Sequence, residues 1–118
     1  MKHLPDLAEV RAALWTLRAA QRARHDLERS GLNSVHLPPP PDVSPQAARG
    51  MNGVFRRTNY TCLVRALVRQ AWAESFGEHR DVVIGVTAPQ SGFKAHAWLE
   101  NEAPCHEERY HELLRYRA

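Results

Sequence analysis

Thr61-Cys62-Leu63-Val64-Arg65-Ala66-Leu67-Val68 opens the stretch whose reading decides the fold. Threonine is a helix-capping residue type, and Leu63, Val64, Leu67, Val68, Ala71, Trp72 and Phe76 recur behind it at helical spacing. The pattern predicts a helix over 61–76, with Cys62 in its first turn and Gly77 as its stop. Only Arg65, Arg69, Gln70 and Glu74 interrupt the apolar face. A stripe that wide belongs to a mostly buried helix.

Downstream, Val82-Val83-Ile84-Gly85-Val86-Thr87 is a β-branched run of strand length. Pro89-Gln90-Ser91-Gly92 signals a turn, and residues 93–100 read as a second strand, so the two form an antiparallel hairpin. On that second strand Ala95, Ala97 and Leu99 point one way, while Lys94, His96, Trp98 and Glu100 point the other. Residues 107–116 fit either a short helix or a last strand. The expected class is α+β, with the Cys62 helix packed on a small antiparallel sheet.

Upstream, residues 6 to about 29 read as a helix capped by Asp6 and stopped by Gly31. Leu7, Val10, Leu14 and Leu17, with Trp15 beside them, supply its core stripe. Ala19, Ala20, Ala23 and Leu27 stand among arginines, which predicts a more exposed second half. Pro38-Pro39-Pro40-Pro41, then Asp42 and Pro45, cannot be helix interior and predict an extended connector. The expected organisation is one domain over 1–118: a helical arm at 1–37, a Pro-rich connector at 38–50 and a core at 51–118. An arm of that length is too short for a core of its own.

The chain of 118 residues is 43% hydrophobic and 25% charged, an ordinary soluble composition. No stretch approaches the roughly 20 apolar residues of a membrane span. Met1-Lys2-His3-Leu4-Pro5-Asp6 lacks the apolar segment of a secretory signal, so a cytoplasmic location is expected. Two cysteines, Cys62 and Cys105, do not make a disulfide framework. The net charge is +3. Arg18, Arg22, Arg24, Arg29, Arg56 and Arg57 form two loose basic groups, without the aromatic, zinc-finger or recognition-helix pattern of a nucleic-acid binder. An acidic peptide partner accounts for them equally well.

The chemistry centres on Cys62 and on His96, 34 residues later. A helix N-terminus presents partial positive charge, which favours thiolate over thiol. The backbone N–H of Cys62 would be free there to serve as one oxyanion donor. His96 supplies a base, and the acidic pair Glu107-Glu108 follows as a candidate to orient it. Trp98, on the same strand face as His96, is a candidate cleft residue. Cys62, His96, Cys105 and His106 lack the paired spacing of a structural zinc site, and no metal or nucleotide cofactor is expected. His3, His25, His36, His79 and His111 read as surface or linker residues, and Cys105 as an incidental thiol.

A thiol at a helix head facing a strand histidine resembles the working pair of papain-like and transglutaminase-like enzymes. More closely, Cys62-Leu63-Val64-Arg65-Ala66-Leu67, Val83-Ile84-Gly85-Val86 and Phe93-Lys94-Ala95-His96-Ala97-Trp98-Leu99-Glu100 resemble the transglutaminase-like peptidases of lasso-peptide biosynthesis. The likeness is to the stand-alone peptidase half of the split maturation protein and covers residues 61 to about 110. It implies a cysteine peptidase that removes the leader from a ribosomally made precursor peptide. Its partners would be a small leader-recognition protein and a lasso cyclase, with no nucleic acid and no membrane. By the same likeness Cys62 is the nucleophile and His96 the base. The family's third residue is an Asp about twelve positions after the His, where this chain has Glu108, with Glu107 in reserve. An acyltransferase on the same dyad, and a non-catalytic adaptor binding a peptide or partner helix, are the alternatives.

Overall fold

In the computed structural model, residues 4–87, 94–101 and 111–117 are described. They fall into two compact units, Met1–Tyr60 and Thr61–Ala118.

In the first unit helix α1 spans Leu7–Ser30. The Asp6 carboxylate accepts the Glu9 N–H at 2.8 Å, which satisfies one of the orphan amides of the first turn. Gly31 ends the helix at φ 85°, ψ −179°, a conformation that essentially only glycine adopts. The chain then returns along the helix it has left. The Trp15 indole N–H donates to the Pro38 carbonyl at 2.9 Å, and the His36 N–H donates to Asp26 Oδ2 at 3.1 Å.

The extended reading of the connector stops short of residue 50. Pro45–Ala47 form a single 3₁₀ turn and lead directly into a second helix, α2, over Ala48–Arg57. Proline is tolerated in that first turn because its missing N–H would have had no partner. α2 buries Met51 and Phe55, one helical turn apart, and packs against α1. At Gly50 the helices approach so closely that a Cβ would collide with the Glu9 carbonyl oxygen. Glycine is required there for the crossing.

The buried face of α1 is also not the one its large side chains indicate. Ala12, Thr16, Ala19, Ala20 and Ala23 are fully buried and Trp15 nearly so, while Leu7 is 76% exposed and Leu14 62%. At 100° per residue these two sets lie on opposite sides of the helix. Small residues let backbones come close, and the resulting contact outweighs what larger side chains would have buried at longer range.

In the second unit helix α3 spans Cys62–Glu74. It closes with a Schellman motif: the Glu78 N–H donates to the Ala73 carbonyl and the Gly77 N–H to the Glu74 carbonyl, with Gly77 at φ 79°. Three strands follow, β1 (Val82–Thr87), β2 (Lys94–Leu99) and β3 (His111–Tyr116), in the antiparallel order β2-β1-β3. The α+β class and the β1–β2 pairing are as expected, and the ambiguous tail is a strand. The Pro89–Gly92 turn lies outside the described residues. β1, the central strand, buries Val82 and Val83 on opposite faces, as its unbroken Val-Val-Ile run requires.

Gln70, an interruption in the apolar face, is buried and bonded. Its amide nitrogen donates to the carbonyls of Arg80 and Tyr116, each at 3.0 Å. One side chain thus ties the middle of α3 to the approach of β1 and to the end of β3. Truncating it would leave two carbonyls without this donor.

Candidate active site

Thr61 begins the site. Its hydroxyl accepts the Val64 N–H at 3.3 Å while its own backbone stays extended (φ −65°, ψ 161°), so the helix starts at Cys62. The cap occupies the Val64 amide and leaves those of Cys62 and Leu63 at the mouth of the helix. The sulfur therefore projects from the end that carries the positive pole of the helix dipole.

α3 packs mainly on β2, an edge strand. There the Ala97 N–H donates to Cys62 Sγ at 3.3 Å. That amide faces away from β1, so Ala97 and Ile84 form a non-hydrogen-bonded pair, and by alternation His96 and Gly85 form the bonded one. The sulfur stands where a carbonyl of a further strand would otherwise accept that amide. Two sets of positive dipole ends, the helix mouth and a strand amide, converge on one half-buried thiol.

His96 is the residue adjoining that amide. Its ring stacks on Trp98 with centroids 5.9 Å apart and planes inclined at 20°. Both side chains lie on the same strand face, as alternation predicts. Directly across the sheet from His96 stands Gly85, which has no side chain to oppose the imidazole. On the far side of Gly85 the β1–β3 register slips between Ile84 and Gly85, so that Ile84 faces Leu114 and Gly85 faces Glu112. Bulges of this kind often lie beside functional side chains. Neither the place of Gly85 opposite His96 nor the slip is visible in a linear pattern, because both depend on pairings made far along the chain.

Beyond the far end of β2 a charged cluster holds the strand ends together. Arg115 Nη1 donates to Glu100 Oε2 and its Nε to Glu112 Oε2, each at 2.8 Å. The Asp81 N–H that it accepts, then the Arg115 guanidinium, hold the Glu100 carboxyl below its ordinary range. The candidates Glu107, Glu108, Cys105 and His106 lie outside the described residues. Among the described residues no three His, Cys, Asp or Glu side chains are grouped to hold a metal ion. No helix among them is long and apolar enough to cross a membrane.

An α+β unit with a thiol at the head of its helix, next to a histidine-bearing strand, has the layout of enzymes that carry acyl groups on cysteine. The chain belongs to the Transglutaminase-like superfamily, whose family model it matches over residues 6–117. Domains of that superfamily are typically cysteine peptidases or transferases. No curated protein and no solved structure matches the chain.

Proposed function

We propose that the chain is a cysteine peptidase that removes the leader from a ribosomally synthesised lasso precursor, working with a leader-recognition partner. One observation supports the chemistry above the rest: Cys62 Sγ receives the Ala97 N–H at 3.3 Å, one residue from His96. The three sequence blocks around Cys62, Gly85 and His96 support the substrate class.

In this mechanism His96 takes the proton of the Cys62 thiol, and the thiolate attacks the carbonyl carbon of the scissile bond. The Cys62 amide, at the helix mouth, donates to the oxyanion that forms. The tetrahedral intermediate collapses, the C–N bond breaks, and the imidazolium protonates the leaving amine. Water then loses a proton to His96, attacks the thioester and releases the leader as a carboxylic acid, restoring the thiol. The freed amino terminus becomes available to a cyclase. Glu108 orients the imidazole, and Trp98 lines the cleft beside it.

The partner's role is concentration. A leader held by a recognition protein that also engages the peptidase turns an encounter with a flexible chain into a local event, worth millimolar effective concentration. The test is mass spectrometry of a lasso precursor incubated with the purified chain, with and without a leader-recognition protein. Leader loss should be slow with the chain alone and fast with both. A precursor left intact by the wild-type chain with the partner present overturns the reading.

A further inference from the structure

We infer that the first unit carries a docking groove for an acidic amphipathic helix of a partner protein. The groove, about 560 Å³, runs between α1 and α2. Val10, Leu14 and Leu17 of α1 and Val54 of α2 line it with apolar side chains, and Arg49, Arg56 and Arg57 of α2 line it with cationic ones.

Three features choose the occupant. The first is spacing. Leu7, Val10, Leu14 and Leu17 recur at intervals of three, four and three residues, the seam one helix presents to another. All four are exposed, on the side of α1 opposite its buried alanines. They span eleven residues, about 15 Å of helix axis, so the seam suits two to three turns of a partner helix. The second is charge. All three arginines are exposed, and no carboxylate among the described residues forms an ion pair with them. Among the described residues Glu9 is the one acidic residue lining the groove, and it is buried.

The third is the combination of the two. A cationic rim beside an apolar seam repels a basic helix, and it favours one whose apolar stripe is flanked by Asp and Glu. Guanidinium groups suit that task because their planar fork matches a carboxylate. The proposal does not rest on the chemistry of Cys62, which lies in the other unit.

The probe is a fluorescein-labelled synthetic peptide of about 18 residues, long enough for five helical turns, with leucines at the seam spacing and glutamates flanking them. Its control carries lysines in place of the glutamates. By fluorescence anisotropy against the full chain, the acidic peptide should bind at least about tenfold more tightly than the basic one, and binding should weaken as salt rises. Leu14→Ser, and separately Arg56→Ala with Arg57→Ala, should each weaken it about tenfold, while circular dichroism shows the fold retained. Equal binding of both peptides, or binding of neither, overturns the proposal. So does a dimer of the chain, seen by light scattering, that Leu14→Ser dissociates, because the seam's occupant would then be a second copy.

Discussion

The amide of Ala97 points at the sulfur of Cys62 from 3.3 Å, and this contact joins the head of a helix to the free edge of a sheet. Its consequence is positional. An amide that faces outward from the edge strand forces its neighbour's amide inward, so His96 is locked into the ladder with Gly85 while its side chain rises from the sheet face beside Trp98. The proposed nucleophile and base are thereby carried on adjoining, hydrogen-bonded backbone.

Cys62→Ala and His96→Ala should each lower leader cleavage by a factor on the order of a thousand or more, as removal of nucleophile or base does in related mechanisms. Cys62→Ser should be nearly as inactive, since a hydroxyl does not ionise where a thiolate is needed. Cys105→Ala should keep most activity. Precursor mass spectrometry reads the activity, and circular dichroism checks the fold. Undiminished cleavage by Cys62→Ala would sink the mechanism.

Gly85→Ala places a methyl opposite the imidazole, on the His96 face of the sheet. Turnover should fall by about tenfold or more, with KM little changed, because a 1 Å displacement of a catalytic group is costly. The strand itself should tolerate the change, since alanine carries no β-sheet penalty relative to glycine. Wild-type turnover in Gly85→Ala would show that the space across from His96 is not used.

The parts of the fold that were legible in sequence are those written in local chemistry. Thr61 as cap, Gly31 and Gly77 as stops and the Val82–Thr87 run each state their conformation within a few residues. α2 was hidden because Gly50 and Gly53 dilute its pattern and a proline run precedes it. The face of α1 was misread because burial rewards fit: Ala19 and Ala20 admit a close neighbour and Leu14 does not. At the site, side-chain alternation placed His96 beside Trp98 correctly. It could not reveal the Ala97 contact, since the direction of a backbone amide leaves no trace in residue identity.

Acid should loosen the sheet through Glu100. Its carboxyl is held below its ordinary value of 4.5 by the Asp81 N–H and then by Arg115. A carboxylate whose folded value is lowered contributes stability that is present above the unfolded value and lost as pH falls through the folded one. Melting temperature should therefore hold above about pH 4.5 and decline below it. Asp26, lowered first by the His36 N–H and then by Arg22, adds a second decline of the same sign below its ordinary 3.8. Glu100→Gln should lower the melting temperature at pH 7 and flatten the first decline, with both effects shrinking in high salt. An unchanged acid profile in that variant would show that the Arg115 cluster contributes nothing to stability.

Glu108→Ala should lower turnover without abolishing it, Glu108→Gln should fall between it and wild type, and Glu107→Ala should matter less. The third member of such a site orients the imidazole and stabilises its charged form, so its loss leaves residual activity. Glu107 and Glu108 stand eleven and twelve residues after His96. Their alternation in an extended segment would let only one of them face the imidazole. The distinguishing measurement is the pH dependence of kcat. A carboxylate beside the imidazole makes it hold its proton more firmly, so removing the carboxylate should shift the acidic limb of activity, set by deprotonation of the base, to lower pH. A variant that merely loosened the fold would scale the whole profile without moving it. If Glu107→Ala moves the limb and Glu108→Ala does not, the orienting residue is Glu107. If neither moves it, His96 is held by its backbone register and by Trp98, and the site works as a dyad.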